Sequence, residues 1–564
     1  MASDQIDVSI DSHKIEVHIL CTSDFIDKYV EEYKQELEEL RAKATASGFK
    51  GQWFIIGDAE YPQKRQQYAT TSFEEGKVSP RIILYAADED DIQKAIALCR
   101  ALKMAIAVRT GGHQYCGYSS TAPANMQIDL SQTFKEYKYD CTTNVLRCGV
   151  SHALGAWAAC NQANNIYLPM GVCAHVHLGG HVHTGGWGMV GRSHGLLADH
   201  VLAFDIILAS GQKEHIERPV KGETSQHNDD VYYAVLGGGK GGDFGIVTHW
   251  EFRPLRDVDY PNAECYTFLW LWSKEKMQRV VNRMAELSKL CANKTVPCDY
   301  EFMLSITGFG FMNLLPEWIE KALQELGFGD DSIPIPPLIH MWMCFTNKDG
   351  KDVKFDDQWF ESFTAEDVCG EPLLAHRLPK TAVSKGLAEH FIMKQDREMD
   401  YPFVKRFRVT MDLPDGFAET YTERMSEITN FPELLCQHLV SQMQIYAGGA
   451  VAENGKAGIT SYSWREQAFA MSHDSFYSDD WCCGDERQNA EQWQTENDKV
   501  FIEKKAFAET DMRMFAYTFG DRVLEHVWQC FYDSEEKYKR LRRIKGQLDP
   551  DGLFSADQFS LKPL

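Results

Sequence analysis

The sequence of 564 residues contains no apolar run long enough to cross a membrane. A membrane-spanning helix needs about 18 or more consecutive apolar residues. The opening residues, MASDQIDVSIDSHK, also lack the basic and apolar blocks of a secretion signal. We therefore expect a soluble, cytoplasmic protein, or a secreted one if its N-terminus has been trimmed.

Positive charge is scarce as well. The chain has 58 Lys and Arg against 82 Asp and Glu, which gives a net charge of −24 at pH 7. Nucleic acids and anionic membranes would be repelled by such a surface, so neither is an expected partner. A small molecule is the predicted binding partner, and the sequence leaves the oligomeric state open.

Cysteine patterns typical of metal sites are missing too. The 16 cysteines include no CxxC pair and no zinc-ligand spacing, so no metal cofactor is expected. Most of these thiols are predicted to be reduced. The adjacent Cys482 and Cys483 make a poor pair for an ordinary disulfide.

The apolar pattern changes along the chain, which is too long for a single hydrophobic core. The run IILYAA from Ile82, a helix over 88–102 and the strand AIAVRT indicate α/β alternation. Further on, aromatic strands such as 266–272 alternate with amphipathic helices at 274–291 and 316–326. This later pattern predicts a separate α+β domain with an antiparallel sheet.

A first glycine loop directly follows the strand AIAVRT and reads Arg109-Thr110-Gly111-Gly112-His113. Consecutive glycines expose main-chain N–H groups to an anion without interference from a Cβ atom. The loop can therefore form a nest for a pyrophosphate. A tight strand-to-helix turn would use the same residues.

A second loop, residues 171–188, sets one cysteine and four histidines among many glycines. Such a segment lets a flat ligand lie close against the main chain. The competing interpretation is a metal site, because His175 and His177, and likewise His181 and His183, are spaced as on one face of a strand. No nearby carboxylate supports such a ligand set.

In a third loop, Gly237, Gly239 and Gly242 match the pattern GxGxxG. A dinucleotide-binding fingerprint must open a helix, whereas the IVTHWEF that follows this loop predicts a strand. Lys240 is followed by Gly241, so the loop is not a Walker A motif either. We expect a main-chain surface that contacts a ligand.

Together, RTGGH, GVCxxVxLGGHxxxGGWG and GGGKGGDFGIVT resemble the berberine bridge enzyme-like branch of the vanillyl-alcohol oxidase (PCMH-type) flavoproteins. The terminal DPDGLFSADQFSL is similar to the closing signature of that family. The resemblance implies an α+β fold: a PCMH-type FAD-binding domain of two α/β subdomains, plus an α+β substrate domain with an antiparallel sheet. The predicted segments are a lead-in packed on the FAD domain (1–75), the FAD-binding domain (76–256), the substrate-binding domain (257–504) and a C-terminal segment returning to the FAD domain (505–564).

The resemblance also implies FAD held by two covalent bonds. His113 matches the histidine joined to the flavin 8α-methyl group, and Cys173 matches the cysteine joined to flavin C6 through sulfur. An imidazole and a thiolate are both nucleophiles that can add to the oxidised flavin ring. Further positions that match cofactor contacts are Arg109, Thr110, Gly111, Gly112, Gly179, Gly180, His181, Asp199, Gly242, Phe244, Gly245 and Val247.

Val176 matches a position near the flavin where valine is associated with access of dioxygen. The resemblance therefore implies an oxidase that passes electrons to O2 and yields H2O2, whereas a bulkier residue would suggest a dehydrogenase. The catalytic base is left open. In alkaloid-cyclising members a glutamate precedes a Gly-Gly pair, and Ile445 falls there in MQIYAGG. Alcohol- and sugar-oxidising members use tyrosines, which makes Tyr532 and Tyr446 candidates for the base. Tyr115 and Trp187 match active-site aromatic positions, and Val176 completes the set of candidate active-site residues.

The segment REMDYPF (397–403) is similar to one in hexose and carbohydrate oxidases. It favours a bicovalently flavinylated oxidase of an alcohol or sugar. The second hypothesis is a specialised-metabolite oxidase or dehydrogenase that performs C–H or amine oxidation or oxidative cyclisation. A third is a flavoprotein without catalysis. A carboxylate placed as a base would favour the second hypothesis over the first.

Overall fold

The computed structural model describes residues 6–11, 14–19, 24–68, 75–114, 117–238, 241–308, 315–329, 335–350, 353–390, 403–429, 437–477, 486–505, 507, 512–513 and 524–564. No helix among these residues combines the length and apolarity that a membrane crossing needs. We call residues 24–256 the N-terminal half.

The first described elements of the chain are an antiparallel pair of strands, and two helices follow it. In the longer helix, Leu37, Leu40 and Ala44 are buried, since their spacing places them on one face. The four elements are β1 (Ile6–Asp11), β2 (Lys14–Ile19), α1 (Asp24–Glu32) and α2 (Lys34–Ser47).

The first sheet of the N-terminal half contains the predicted α/β alternation. Its strand order is β3-β4-β6-β5, with β4, β5 and β6 parallel and β3 antiparallel to β4. Asp88 caps α4 by accepting a hydrogen bond from the main-chain N–H of Asp91 at 3.1 Å. The elements are β3 (Trp53–Ile55), α3 (Tyr61–Lys64), β4 (Ile82–Tyr85), α4 (Glu89–Leu102), β5 (Ile106–Arg109) and β6 (Met126–Asp129).

The second sheet of this half is antiparallel, with the order β11-β10-β12-β8-β7. The glycine-rich segment 171–188 does not join it as a strand, because His181 and His183 lie on the short helix α6. The elements are β7 (Tyr137–Asp140), β8 (Val145–Gly149), α5 (Leu154–Ala163), β9 (Ile166–Tyr167), α6 (Leu178–His183), α7 (Gly191–His194), β10 (Val201–Ile207), β11 (Lys213–Glu217), α8 (Gln226–Val235), β12 (Ile246–Phe252) and β13 (Leu255–Arg256).

The antiparallel sheet predicted for the middle of the chain has eight strands among the described residues, in the order β17-β14-β16-β15-β19-β20-β18-β21. We call it the large sheet. Its elements are β14 (Ala263–Leu271), α9 (Lys274–Ala292), β15 (Tyr300–Thr307), α10 (Glu317–Glu325), β16 (Leu338–Phe345), α11 (Gln358–Glu361), β17 (Leu374–Thr381), α12 (Val383–Ala388), β18 (Phe403–Thr410), α13 (Phe417–Thr429), β19 (Gln437–Ile445), α14 (Ala450–Gly455), β20 (Phe469–Tyr477), α15 (Glu486–Glu503) and β21 (Met512–Arg513).

The two faces of the large sheet have different neighbours. Met443 and Ile445 of β19 pack in one apolar core with Met277 and Met284 of α9. Successive side chains of a strand point to opposite faces, so Gln442 lies on the other face, towards the N-terminal half. This alternation determines which residues of β19 can reach a site between the two parts.

The C-terminal residues return to the N-terminal half as α16 (Leu524–Val527) and α17 (Glu535–Leu548). The main-chain N–H of Ile106 donates to the carbonyl of Leu553 at 2.7 Å. The hydroxyl of Thr121 donates to the carbonyl of Ala556 at 2.8 Å. The closing sequence motif therefore packs beside the strand that leads into the first glycine loop.

Candidate active site

A cavity lies where the three glycine loops of the N-terminal half face the large sheet. Its empty volume, with the open mouth included, is about 1340 Å³, above the roughly 300–1,000 Å³ of small-ligand pockets. The described residues that line it are Val108, Thr110, Gly111, Gly112, His113, Gln114, Tyr118, Ser119, Leu130, Gly171, Val172, Cys173, Val176, His177, Gly179, Gly180, His181, His183, Thr184, Trp187, Gly241, Gly242, Gly245, Ile246, Val247, Phe407, Gln442 and Ser472.

The first glycine loop contributes Thr110, Gly111, Gly112 and His113 to the wall. The His113 ring stacks on Tyr68 with 4.7 Å between the ring centroids. Among the described residues, the main-chain N–H groups of Gly111 and Gly112 have no protein acceptor. These donors therefore fit an anionic ligand group such as a pyrophosphate.

The Arg109 side chain belongs to the support of this loop and not to the cavity wall. Its guanidinium forms a buried ion pair with Asp129. It also donates to the carbonyls of Lys64 at 2.7 Å and Gln66 at 2.9 Å. The Arg109 side chain therefore does not line the described cavity, and its guanidinium already has these partners.

The second loop brings Cys173, Val176, Gly179 and Gly180 to the same cavity. Cys173 is half-buried. A Cβ atom added at Gly180 would meet no other atom within 4 Å, so the main chain there borders open space. A flat ring system could approach the main chain closely at this point, as the glycine-rich sequence predicts.

Three histidines of this loop, His177, His181 and His183, also line the cavity. Burial lowers the pKa of each of them to about 4, so they are neutral imidazoles at pH 7. His181 Nε2 accepts a hydrogen bond from the main-chain N–H of Gly171 at 3.1 Å. The strand geometry that suggested a metal site is wrong, because His181 and His183 stand on a helix.

The third loop contributes Gly241, Gly242, Gly245 and Val247, and the predicted strand follows it as β12. Phe244 is buried and lies off the described cavity wall. The loop contacts the cavity through its main chain and does not open a helix, as expected.

Tyr532 lies outside the cavity wall and supports the third loop. Its hydroxyl donates to the carbonyl of Gly238 at 3.0 Å, and the side chain is almost fully buried. Burial raises the pKa of the phenol well above 10, which is the opposite of what a base requires. Tyr532 does not line the described cavity, so the structure does not place it where a base would act.

Tyr446 and Asp199 also lie off the described cavity wall. The Tyr446 hydroxyl donates to the carbonyl of Gly188 at 3.0 Å, and burial raises its pKa well above 10. Asp199 pairs with both terminal nitrogens of Arg465, at 2.8 and 2.9 Å. Both residues therefore connect the N-terminal half to the C-terminal part of the chain. Tyr115 and residues 397–402 are outside the described residues.

The large sheet contributes Phe407, Gln442 and Ser472, which sequence reasoning missed. Gln442 and Phe407 are both register partners of Ser472, so the three form one row across neighbouring strands. The Ser472 hydroxyl is buried and has no hydrogen-bond partner among the described residues. The sequence contained a signal for these residues, because side chains alternate between the two faces along a strand. Ile445 lies on the helix-covered face, so Gln442, an odd number of residues away, lies on the opposite face.

Trp187 connects the two walls of the cavity. Its ring packs edge-on against Phe407, with 5.0 Å between centroids. Its indole Nε1 is buried without a hydrogen-bond partner among the described residues. An aromatic surface with a spare donor thus stands beside the polar row of Gln442 and Ser472.

Comparison with known proteins agrees with this geometry. Residues 80–217 match the family model of the FAD binding domain. Berberine bridge enzyme-like 16 of Arabidopsis thaliana is 31% identical over 179 residues, 31% of this chain and 32% of that protein. Aclacinomycin-N/aclacinomycin-A oxidase of Streptomyces galilaeus is 30% identical over 175 residues, again 31% and 32%. The chain spans about a third of the length of these curated relatives.

Solved structures match nearly the whole fold. Xylooligosaccharide oxidase from Myceliophthora thermophila C1 has a TM-score of 0.68 at 18% identity, over 94% of this chain and 99% of that one. Glucooligosaccharide oxidase from Acremonium strictum has a TM-score of 0.70 at 15% identity, over 93% and 99%. The cofactor of that second oxidase is a 6-S-cysteinyl, 8α-N1-histidyl FAD.

The fold is therefore that of the PCMH-type FAD-binding oxidases, and it is α+β as predicted. Residues 80–217 are similar to an FAD binding domain, and the predicted resemblance to berberine bridge enzyme-like proteins is confirmed.

Proposed function

We propose that this protein is an FAD-dependent oxidase that carries its flavin on both His113 and Cys173 and oxidises a neutral alcohol or sugar. When bound, FAD supplies the acceptor for a hydride, which carries the two electrons of the oxidation. Electrons then pass to O2, which yields H2O2. The activity, the double tether and the substrate class are parts of one proposal.

The observation that supports the substrate class is the lack of charge on the cavity wall. None of its described residues is Asp, Glu, Lys or Arg. A cationic amine would enter such a site without a counter-charge, at a desolvation cost. The carboxylate base expected for an alkaloid-type oxidation is likewise absent from the described wall.

The groups that are present suit a hydroxyl-bearing ring. Gln442 and the unpartnered hydroxyl of Ser472 can exchange hydrogen bonds with substrate hydroxyls. Trp187 offers an apolar ring face and an N–H donor beside them. These three side chains are proposed to orient the substrate so that the carbon to be oxidised faces the flavin.

The cofactor is proposed to be held mainly by main-chain groups and by the two tethers. The N–H groups of Gly111 and Gly112 receive the pyrophosphate, and the main chain at Gly180 lies against the flavin. His113 and Cys173 line the same cavity, which supports attachment of both to one flavin. Val176 lines the same wall and is proposed to leave room for O2.

The alternative is a biosynthetic oxidase or dehydrogenase of a specialised metabolite. It is favoured by the names of further relatives, such as the tetrahydroberberine oxidase of Berberis wilsoniae and the reticuline oxidase of Papaver somniferum. The uncharged cavity wall argues against amine substrates but not against neutral phenolic alcohols.

Anaerobic bleaching of the flavin tests the proposal. Purified protein is mixed without O2 with sugars, neutral alcohols and amines, and absorbance near the flavin maximum is followed. We expect bleaching by members of the first two groups and recovery of colour with H2O2 release on admission of air. Bleaching by amines alone would contradict the substrate class, and a flavin that no compound bleaches would favour a protein without catalysis.

A further inference from the structure

The segment from Trp187 to Ser193 is held by the large sheet at its first end. The carbonyl of Gly188 accepts two hydrogen bonds, from Gln444 Nε2 at 3.0 Å and from the Tyr446 hydroxyl at 3.0 Å. Both donors are on β19 or directly after it. Because Trp187 precedes Gly188, these bonds fix part of the cavity wall to the large sheet.

The other end of the segment is held by a buried carboxylate. Glu301, on β15, accepts hydrogen bonds from the Ser193 main-chain N–H at 2.6 Å, the Ser193 hydroxyl at 2.6 Å and the Arg192 main-chain N–H at 3.3 Å. All three residues are completely buried. A carboxylate of the large sheet thus fixes the short helix α7 of the N-terminal half.

Arg192 makes the reciprocal contact. Its guanidinium leaves the N-terminal half and is enclosed by four main-chain carbonyls of the C-terminal part. These acceptors are Ala447 at 2.9 Å, Pro297 at 2.6 Å, Tyr300 at 2.8 Å and Val296 at 3.0 Å. The Arg192 guanidinium is excluded from water, and these four carbonyls are the acceptors that compensate its charge.

Between these two ends the backbone is strained. Val190 has φ of 57°, in the left-handed region that a β-branched residue rarely adopts. Such a conformation persists only where the surrounding contacts impose it. The bonds at Gly188 and at Ser193 lie on either side of Val190, so they are the contacts that can hold it.

We propose that Arg192, Ser193 and Glu301 form an interlock that positions Trp187 in the wall of the flavin cavity. The three are positioning residues, since none of them lines the described cavity. This inference rests on the proposed flavin-dependent function and adds to it the residues that set the geometry between flavin and substrate wall. Loss of the interlock lets the strained segment relax and moves the Trp187 ring.

The test uses two matched serine variants of the flavin-loaded protein. Ser193→Ala removes a hydroxyl that donates to Glu301 at 2.6 Å. Ser384→Ala removes a buried hydroxyl of α12 that donates to Asp257 at 2.5 Å, and neither of these two residues lines the described cavity. Both variants should lower the melting temperature. Only Ser193→Ala should shift the visible flavin spectrum and lower kcat, by about tenfold or more with little change in KM.

A double-mutant cycle decides whether the effect passes through Trp187. In the Trp187→Phe background, Ser193→Ala should change the flavin spectrum and kcat little further. A full effect in that background would overturn the inference, as would a spectrum and kcat that respond to neither serine variant. If Ser193→Ala fails to fold, Glu301→Gln takes its place, and the same shift of the flavin spectrum and the same loss of kcat are expected. A colourless wild-type protein would instead refute the proposed function, before any variant is compared.

Discussion

Glu301→Gln should remove one contribution that lowers the stability of the protein as pH rises. Burial raises the pKa of the Glu301 carboxyl from 4.5 to about 7, although the hydrogen bonds from Ser193 and the charge of Arg192 oppose the shift. A raised pKa means that the native state binds its proton more tightly than the unfolded state does. The associated stability is present below pH 4.5 and is lost as pH rises through about 7.

The size of this effect follows from the shift. At about 1.36 kcal/mol for each pKa unit, the change from 4.5 to about 7 corresponds to about 3 kcal/mol. Glutamine does not titrate, so the unfolding free energy of the variant should gain about 3 kcal/mol relative to wild type between pH 4.5 and pH 7.5. Denaturant unfolding followed by circular dichroism at several pH values measures the difference.

Asp199→Asn is the control, because the pKa of Asp199 is shifted in the opposite direction from that of Glu301. Burial alone would raise the pKa of Asp199, but Arg465 and the Leu196 N–H hold it below its usual value. Its stabilising contribution is therefore present above the unfolded pKa and is lost as pH falls. A difference between wild type and Glu301→Gln that does not change with pH would refute the reasoning about Glu301.

Three further predictions concern the cavity and its supports. Lys545→Met should lower the unfolding free energy by about 3–5 kcal/mol, because Lys545 pairs at 2.7 Å with Asp549 in a fully buried site. The control is Lys539→Met, at an exposed ion pair, which should lower the unfolding free energy by under about 1 kcal/mol in the same denaturant assay. Tyr532→Phe should keep steady-state turnover and lose only about 1 kcal/mol of stability, since its hydroxyl bonds Gly238 away from the cavity; abolished turnover would restore Tyr532 as the base. Val176→Leu should slow reoxidation of the reduced flavin by O2 in stopped flow while leaving reduction by substrate unchanged, and an unaltered reoxidation rate would contradict the role given to Val176.

Local sequence signals predicted the N-terminal half well. The strand from Ile82, the helix predicted over 88–102 and the strand β12 after the third glycine loop each depend on residues close in sequence. The three glycine loops were assigned to one cofactor by the resemblance to the flavoprotein family, because each loop taken alone left other interpretations open. The error in this half concerns the conformation of a glycine-rich segment, because His181 and His183 lie on a helix and not on a strand.

The site side chains depend on contacts that sequence does not reveal. Tyr532 bonds to Gly238 and Arg109 to Lys64, and only tertiary packing decides that these side chains point away from the cavity. Neighbouring side chains of β19 lie on opposite faces of the sheet, so an alignment that is shifted by one residue exchanges the cavity face for the helix-covered face. For this reason the sequence pointed to Ile445 and not to Gln442. The interlock joins residues more than a hundred positions apart, so no local pattern indicates it.

The two covalent tethers are the central claim, and the mass of the denatured protein tests them most directly. We predict that acid-precipitated wild type keeps its yellow colour and exceeds the polypeptide mass by one FAD. His113→Ala and Cys173→Ala should each keep the flavin through the remaining tether, and the double variant should release it. Cys160→Ala, at another half-buried thiol, should behave as wild type. A colourless wild-type precipitate at the bare polypeptide mass would contradict the account.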